Sequence, residues 1–263
     1  MGPAANHRLT LSQLLQFLRR LLRRCGVVAV RTRHPGVRYL DHPPGSAFED
    51  ILLRLHPDLR GLGFIQIGAN DGRRADPLLP FVDAHEWRGL MFEPLSTNFG
   101  DLQRHRGANP RLRLRRAAVD IAAGRRLIYD LSPAATASLP DWTRGLASFS
   151  RERLVQAARE LKLPDSAIVA EEVETVAWSQ VWQEFGPGRC DLLVLDTEGY
   201  DLTLLRAADL ARHRPRLILF EHACNTMPER LATCRELLEL GYELATCAGD
   251  TVAYLPASAD RGA

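Results

Sequence analysis

Short apolar runs that each close on an acidic residue recur along this chain, with helical patterns between them. FIQIGANDG covers residues 64–72, RGLMFEP 88–94, LRLRRAAVD 112–120, DLLVLDTEG 191–199 and RLILFE 216–221. Runs this short read as strands, and near-continuous apolar character marks strands covered on both faces. Strands alternating with helices imply an α/β sandwich around a mostly parallel sheet. The end of the chain departs from the pattern. GYELATC (241–247) and TVAYL (251–255) are separated only by Ala248, Gly249 and Asp250, which is a hairpin and not a crossover. Five crossover-linked strands followed by a hairpin pair give the order of a seven-stranded nucleoside-binding sheet, mostly parallel with a C-terminal antiparallel hairpin.

Within this frame helices are expected at 48–55, around 75–84, at 97–105 and at 152–161, with strands at 64–67, 89–92 and 112–119. Residues 131–174 interrupt the alternation. The piece SPAATASLPDWTRGLASFSRERL is rich in Pro, Ser and Ala, and an insertion this long tends to be functional or disordered. Trp142 and Phe149 within it favour a substrate lid. Ahead of the sheet, LTLSQLLQFLRRLLRRC (9–25) has the spacing of an amphipathic helix with a basic end, and residues 34–46 resemble a linker. The expected division is an N-terminal helical extension over 1–45 and a single α/β domain over 46–263.

Composition excludes several classes. A formal net charge of +2 over 263 residues provides no field for nucleic acid. Lys162 is the sole lysine, so the arginine excess reflects base composition. The five cysteines show no CxxC spacing and are expected to be reduced, structural thiols of a cytoplasmic protein. No secretory pattern opens the sequence, and no apolar run approaches the roughly eighteen residues a membrane span needs. The 9–25 helix either packs on the domain or rests on a membrane surface or partner. No feature sets an oligomeric state.

In an open α/β sheet, ligands bind beyond the carboxyl ends of the strands. Asp71, Glu93, Asp120, Asp196 with Glu198, and Glu221 all fall at such ends. Gly68, Ala69 and Asn70 form a small-residue turn that lets backbone approach a ligand, and Gly72 adds a second flexible point. Glu93 lies twenty-five residues after Gly68, where an acid can accept both hydroxyls of a ribose. Asp120 is placed to take the exocyclic amine of an adenine. The sequence contains no GxGxxG, no GxxxxGK[ST] and no GxSxG, which argues against NAD, a P-loop nucleotide and a serine hydrolase in turn.

FIQIGANDG, FEP (92–94), DLLVLDTEGYD (191–201) and the terminal GY-hairpin together resemble the FkbM family of S-adenosylmethionine-dependent methyltransferases. The resemblance covers residues 60–256, and LDTEGYD (195–201) is its most specific element. LPDWTRGLASF (139–149) also resembles a stretch found in one branch of the family. The resemblance implies a class I methyltransferase domain whose glycine turn cradles the amino-acid part of S-adenosylmethionine. Gln66 stands where many such enzymes carry an acid, and Asp71 or Asn70 would replace that contact. It also places Asp196 beside the transferred methyl, facing Glu198, Glu221 and His222. Asp196 or His222 would then act as general base, while Glu198 and Glu221 orient acceptor hydroxyls. A less favoured version uses Mg²⁺ on Asp196 and Glu221. The implied acceptors are small molecules, sugars or lipid-linked glycans. The competing readings are a non-catalytic adenosyl-binding scaffold and, with less support, an NAD-binding oxidoreductase.

Overall fold

The computed structural model describes residues 31–34, 37–39, 46–247 and 249–256. The amphipathic segment 9–25 lies outside them. The main sheet contains β1 (Arg31–His34), β2 (Val37–Tyr39), β3 (Gly63–Ile67), β4 (Arg88–Phe92), β5 (Leu112–Arg115), β9 (Leu192–Leu195), β10 (Leu217–Glu221), β11 (Glu243–Cys247) and β12 (Asp250–Tyr254). A smaller sheet holds β6 (Ala118–Asp120), β7 (Gly124–Leu131) and β8 (Ile168–Ala177).

The order in the main sheet is β1-β2-β11-β12-β10-β9-β3-β4-β5. Its last seven strands are the expected set. β5, β4, β3, β9 and β10 run parallel, and β12 inserts antiparallel between β10 and β11. The order reverses between β3 and β9, and their carboxyl ends open the crevice that a ligand can enter.

Alternation along each strand builds three layers. Ile65, Ile67, Leu90, Leu193, Leu195 and Ile218 face one side, against helices Trp178–Phe185, Asp201–Ala207 and Met227–Glu239. Phe64, Met91, Leu192, Val194 and Leu217 face the other, against helices Ser46–Leu55, Leu79–Val82 and Ser96–Arg106. Gln66 shares that second face and is buried among apolar neighbours. Both faces are covered, which is why the strands read as continuous apolar runs.

Four expectations need correction. The run 112–119 is not one strand: β5 ends at Arg115, and β6 restarts at Ala118 in the smaller sheet. Burial of both Ala117 and Ala118 hides this break from a pattern based on apolarity. The 131–174 insertion is bracketed by β7 and β8, which pair antiparallel from Gly124↔Thr175 to Leu131↔Ile168. Its last residues, 168–174, are therefore strand, and the rest, with the expected helix at Arg151–Glu160, hangs from a β-ribbon. The helix expected over 75–84 is confined to Leu79–Val82, because Pro77 forces its predecessor into extended backbone and Pro80 removes a donor. Val37–Tyr39, read as linker, pairs parallel with Leu244–Thr246 and extends the sheet past residue 46.

Candidate active site

A cavity of about 530 Å³ opens at the carboxyl ends of β3, β4, β9 and β10, within the range of small-molecule sites. Its first wall is the turn after β3. Gly68 has φ +82°, and a side chain there would collide with the Asp196 carbonyl oxygen. Only glycine combines that conformation with so close an approach. Gly68→Ala is expected to cost about 3 kcal/mol or more and to lower Tm by about 6–12 °C in a calorimetric scan. An unchanged Tm would mean that the β3 and β9 turns do not meet as described.

The remaining residues of FIQIGANDG divide by role. Gln66, Gly68, Ala69 and Asn70 line the cavity. Asp71 does not. Its Oδ1 accepts from the Arg73 and Arg74 amides (2.9 and 2.7 Å), and its Oδ2 pairs with Arg74 at 3.2 Å. An acid with its own turn amides so close folds back on them, and those contacts with Arg74 hold its pKa below the ordinary value against the effect of burial. Gly72 is also structural: its φ is +69° and a side chain would strike Leu102 and Arg106. The acid beside this turn is instead Asp76, which sequence reading passed over. Its only signal was the Asp-Pro step four residues after the turn.

Glu93 lies where expected. Buried at the end of β4, it lines the cavity and accepts from the Asn70 amide through Oε2 (2.9 Å) and the Leu95 amide through Oε1 (3.0 Å). An ionised carboxylate has about four acceptor positions, and with the Asn98 side chain as a third donor one remains for a ligand hydroxyl. Burial raises its pKa to about 7 in spite of those amides.

Asp120 does not reach the cavity. It closes β6 in the smaller sheet, where Tyr200 Oη (2.6 Å), the Ile121 amide (2.7 Å) and Arg126 Nη1 (3.0 Å) donate to it. With three donors already in place it anchors the ribbon to the loop after β9, and the adenine role assigned to it is withdrawn.

The LDTEGYD segment forms that loop. Thr197 ties it shut, its amide and hydroxyl both donating to Asp201 Oδ2 (3.2 and 2.7 Å). Glu198 takes a left-handed conformation (φ +53°), and Gly199 follows at φ +100°. Asp196, Thr197, Glu198 and Tyr200 thereby line the cavity. Asp196 is open to the cavity although protein surrounds it elsewhere. Desolvation, then the carboxylates of Glu198, Asp201, Glu221 and Asp250, hold its pKa well above the ordinary range. Glu198 rises to about 7 through burial and Glu221, although Arg153 Nη2 is in close contact with its Oε2. Asp250, brought opposite Glu221 by the hairpin register, is a further lining acid that no sequence pattern singles out.

Glu221, the last residue of β10, lines the cavity, and His222, just past the strand end, does not. His222 is buried, its Nδ1 lies 2.9 Å from Thr251 Oγ1, and burial with nearby Arg230 depresses its pKa to about 4. It is withdrawn as general base. Among the described residues, Glu198, Glu221 and Cys224 place ligand atoms within 4.8 Å of one another, and Asp196 is not of that group. This set does not fit Mg²⁺, which takes hard oxygen ligands. Burial and Glu221 raise the Cys224 thiol to about 12, and Arg153 already neutralises Glu198.

From the ribbon, Trp142 and Phe149 both line the cavity. Trp142 is 59% exposed. Phe149 is not free to stack, because Arg126 sits 4.0 Å over its ring and Tyr200 meets it edge-on at 5.3 Å.

A glycine turn after the first crossover strand, a buried acid ending the second and an acid ending the fourth, on a sheet closed by a hairpin, define the class I methyltransferase architecture. The model of the methyltransferase FkbM domain matches residues 66–244, and the chain belongs to that family. Among solved structures, methyltransferase FkbM from Methylobacillus flagellatus KT aligns with a TM-score of 0.50 at 15% identity, covering 81% of this chain and 48% of that one. The alignment therefore spans about half the length of that protein. The N-terminal domain of human METTL16 in complex with SAH aligns at TM-score 0.42 and 12% identity, over 97% of this chain and 88% of that one. No curated protein matches the sequence.

Proposed function

We propose that this protein transfers a methyl group from S-adenosylmethionine to a hydroxyl of a sugar, glycolipid or related small acceptor. The observation that carries this reading is the charge of the cavity. Asp76, Glu93, Asp196, Glu198, Glu221 and Asp250 line it, with Arg74 as the lining cation. Burial and mutual repulsion raise the pKa of these acids, so a cationic ligand that favours their ionised form is preferred there, whereas a pyrophosphate meets a single lining cation, which favours a sulfonium over NAD. Buried acceptor oxygens without donors at Gln66, Asn70 and Asp76 fit a ligand rich in N–H groups.

When bound, the cofactor supplies an electrophilic methyl. The chain supplies the remainder. Glu93 would take a ribose hydroxyl on its remaining acceptor position. Asp196, at the end of β9 and open to the cavity, would accept the proton of the acceptor hydroxyl. Its raised pKa makes it a stronger base than an ordinary carboxylate once ionised. Glu198, fixed by Arg153, and Glu221 would hold the acceptor's other hydroxyls in line.

A thermal-shift titration with S-adenosylmethionine, S-adenosylhomocysteine and NAD⁺, followed by labelled-methyl transfer to sugar and lipid fractions, tests this function. A shift with the two adenosyl ligands and label in a hydroxyl-bearing fraction is expected. A shift with NAD⁺ alone overturns the reading, and binding without label in any fraction favours a scaffold.

Trp142, standing exposed on the turn Asp141–Gly145, offers an aromatic face to a sugar. Loss of a stacked ring costs about 1–2 kcal/mol, so Trp142→Ala should raise acceptor KM about 5- to 30-fold and leave cofactor affinity unchanged. A change in cofactor affinity instead would place Trp142 at the wrong end of the cavity.

A further inference from the structure

The Asp76 side chain is only 2% exposed, yet it lines the cavity. Its two oxygens differ sharply. Oδ1 accepts from the Leu78 amide (2.9 Å) and from Gln66 Nε2 (3.2 Å). Oδ2 has no hydrogen-bond partner. The nearest cation, Arg106, holds Nη2 4.0 Å from it, beyond hydrogen-bond reach, and commits Nη1 to Asp83 at 3.0 Å. Ordering the short helix at Leu79–Val82 accounts for Oδ1 alone.

The neighbouring side chains repeat the pattern. Only the amide nitrogen of Gln66 can donate to a carboxylate, so Asp76 fixes the orientation of that amide and leaves Gln66 Oε1 facing no donor. Asn70 Oδ1, on the glycine turn, is likewise buried and bare. Three acceptor oxygens, one of them on an acid, thus line one cavity with no donor among the protein groups. Buried acceptors left this way are costly unless a ligand completes them. A primary ammonium carries three N–H donors, no acceptor and a positive charge.

We propose that Asp76, oriented by Gln66, is the residue that receives the ammonium group of an amino-acid-bearing ligand in this cavity, with Gln66 Oε1 and Asn70 Oδ1 as its uncharged partners. This assignment rests on the S-adenosylmethionine reading and deepens it: it divides the cavity into a nucleoside end at Glu93 and an ammonium end at Asp76. It also replaces Asp71, whose carboxylate is turned onto its own turn amides.

Calorimetric titration of the full chain with S-adenosylhomocysteine, its deaminated analogue and 5′-methylthioadenosine tests the assignment without any turnover. The wild-type protein is expected to bind S-adenosylhomocysteine about 10- to 100-fold more tightly than the deaminated analogue, the range of a charge-assisted hydrogen bond. Asp76→Asn, which keeps the shape, should abolish that preference and leave 5′-methylthioadenosine affinity unchanged. Equal wild-type affinity for the amino and deamino ligands overturns the proposal even if the variant fails to fold. If Asp76 serves only to neutralise Arg106, Asp76→Asn lowers Tm and preserves the preference, which also overturns it. Failure of all three ligands on the wild-type protein brings down the cofactor reading together with this one.

Discussion

Asp196→Asn is expected to lower kcat for methyl transfer by about 10²- to 10⁴-fold, the usual contribution of a positioned general base. Binding of S-adenosylhomocysteine, measured by calorimetry, should remain. Asparagine keeps the shape at the end of β9 but cannot take a proton from an acceptor hydroxyl. The same substitution removes one charge from a crowd in which Glu198, Asp201, Glu221 and Asp250 all disfavour ionisation of Asp196. The variant should therefore be no less stable than wild type at neutral pH. Loss of activity with an unchanged or raised Tm separates chemistry from unfolding, and retention of kcat would remove Asp196 from the mechanism. Because its pKa lies well above the ordinary carboxylate range, the wild-type rate should fall on acidification with an inflection above that range as well. His222, depressed to about 4, cannot produce such a limb.

Glu93→Gln should weaken S-adenosylhomocysteine and 5′-methylthioadenosine alike, by about 100-fold, since hydrogen bonds to a charged group contribute about 1.5–3 kcal/mol each. Equal loss for the two ligands distinguishes this nucleoside contact from the ammonium contact at Asp76. The pH dependence follows from the raised pKa of about 7. Below it the carboxyl is protonated and presents fewer acceptors, so wild-type affinity should drop toward tenfold per pH unit, and flatten above it. In Glu93→Gln this dependence should vanish; its persistence would assign the titration to another group. The unliganded fold responds in the opposite sense. A carboxyl whose folded pKa is raised from 4.5 to about 7 favours the folded state below the lower value, and that contribution is lost as pH rises through the higher. The span corresponds to about 3 kcal/mol at most. Cofactor binding and unliganded stability thus pull Glu93 in opposite directions across neutrality.

The strands of the main sheet and the closing hairpin were legible because each is an apolar run whose period and bounding residues are local properties. Gly68, Glu93, Asp196, Glu198 and Glu221 were legible for a related reason: strand ends meet at one edge of a parallel sheet, so acids at successive ends converge. Position along the sequence could not tell Asp71 from Asp76. The first lies nearer the glycine turn but is captured by the amides of Arg73 and Arg74, whereas the second lies further along and returns to Gln66. Nor could it tell that Asp120 belongs to a second sheet, because β7 and β8 are partially exposed strands with mixed composition, and the Gly124↔Thr175 pairing that joins them at the end nearest β6 spans 51 positions.

What this sequence determines by itself is periodicity and local turn chemistry: seven strands, their alternation with helices, the hairpin, and a glycine turn with an acid at the end of the next strand. What only the tertiary structure decides is which side chains share one cavity and which are already spoken for. Hydrogen-bond capacity is finite: Tyr200, 80 positions away, helps to hold Asp120 outside the cavity, the amides of its own turn hold Asp71, and Glu93 and Asp76 are left facing the cavity. That difference becomes visible only when the donors around each carboxylate are in place.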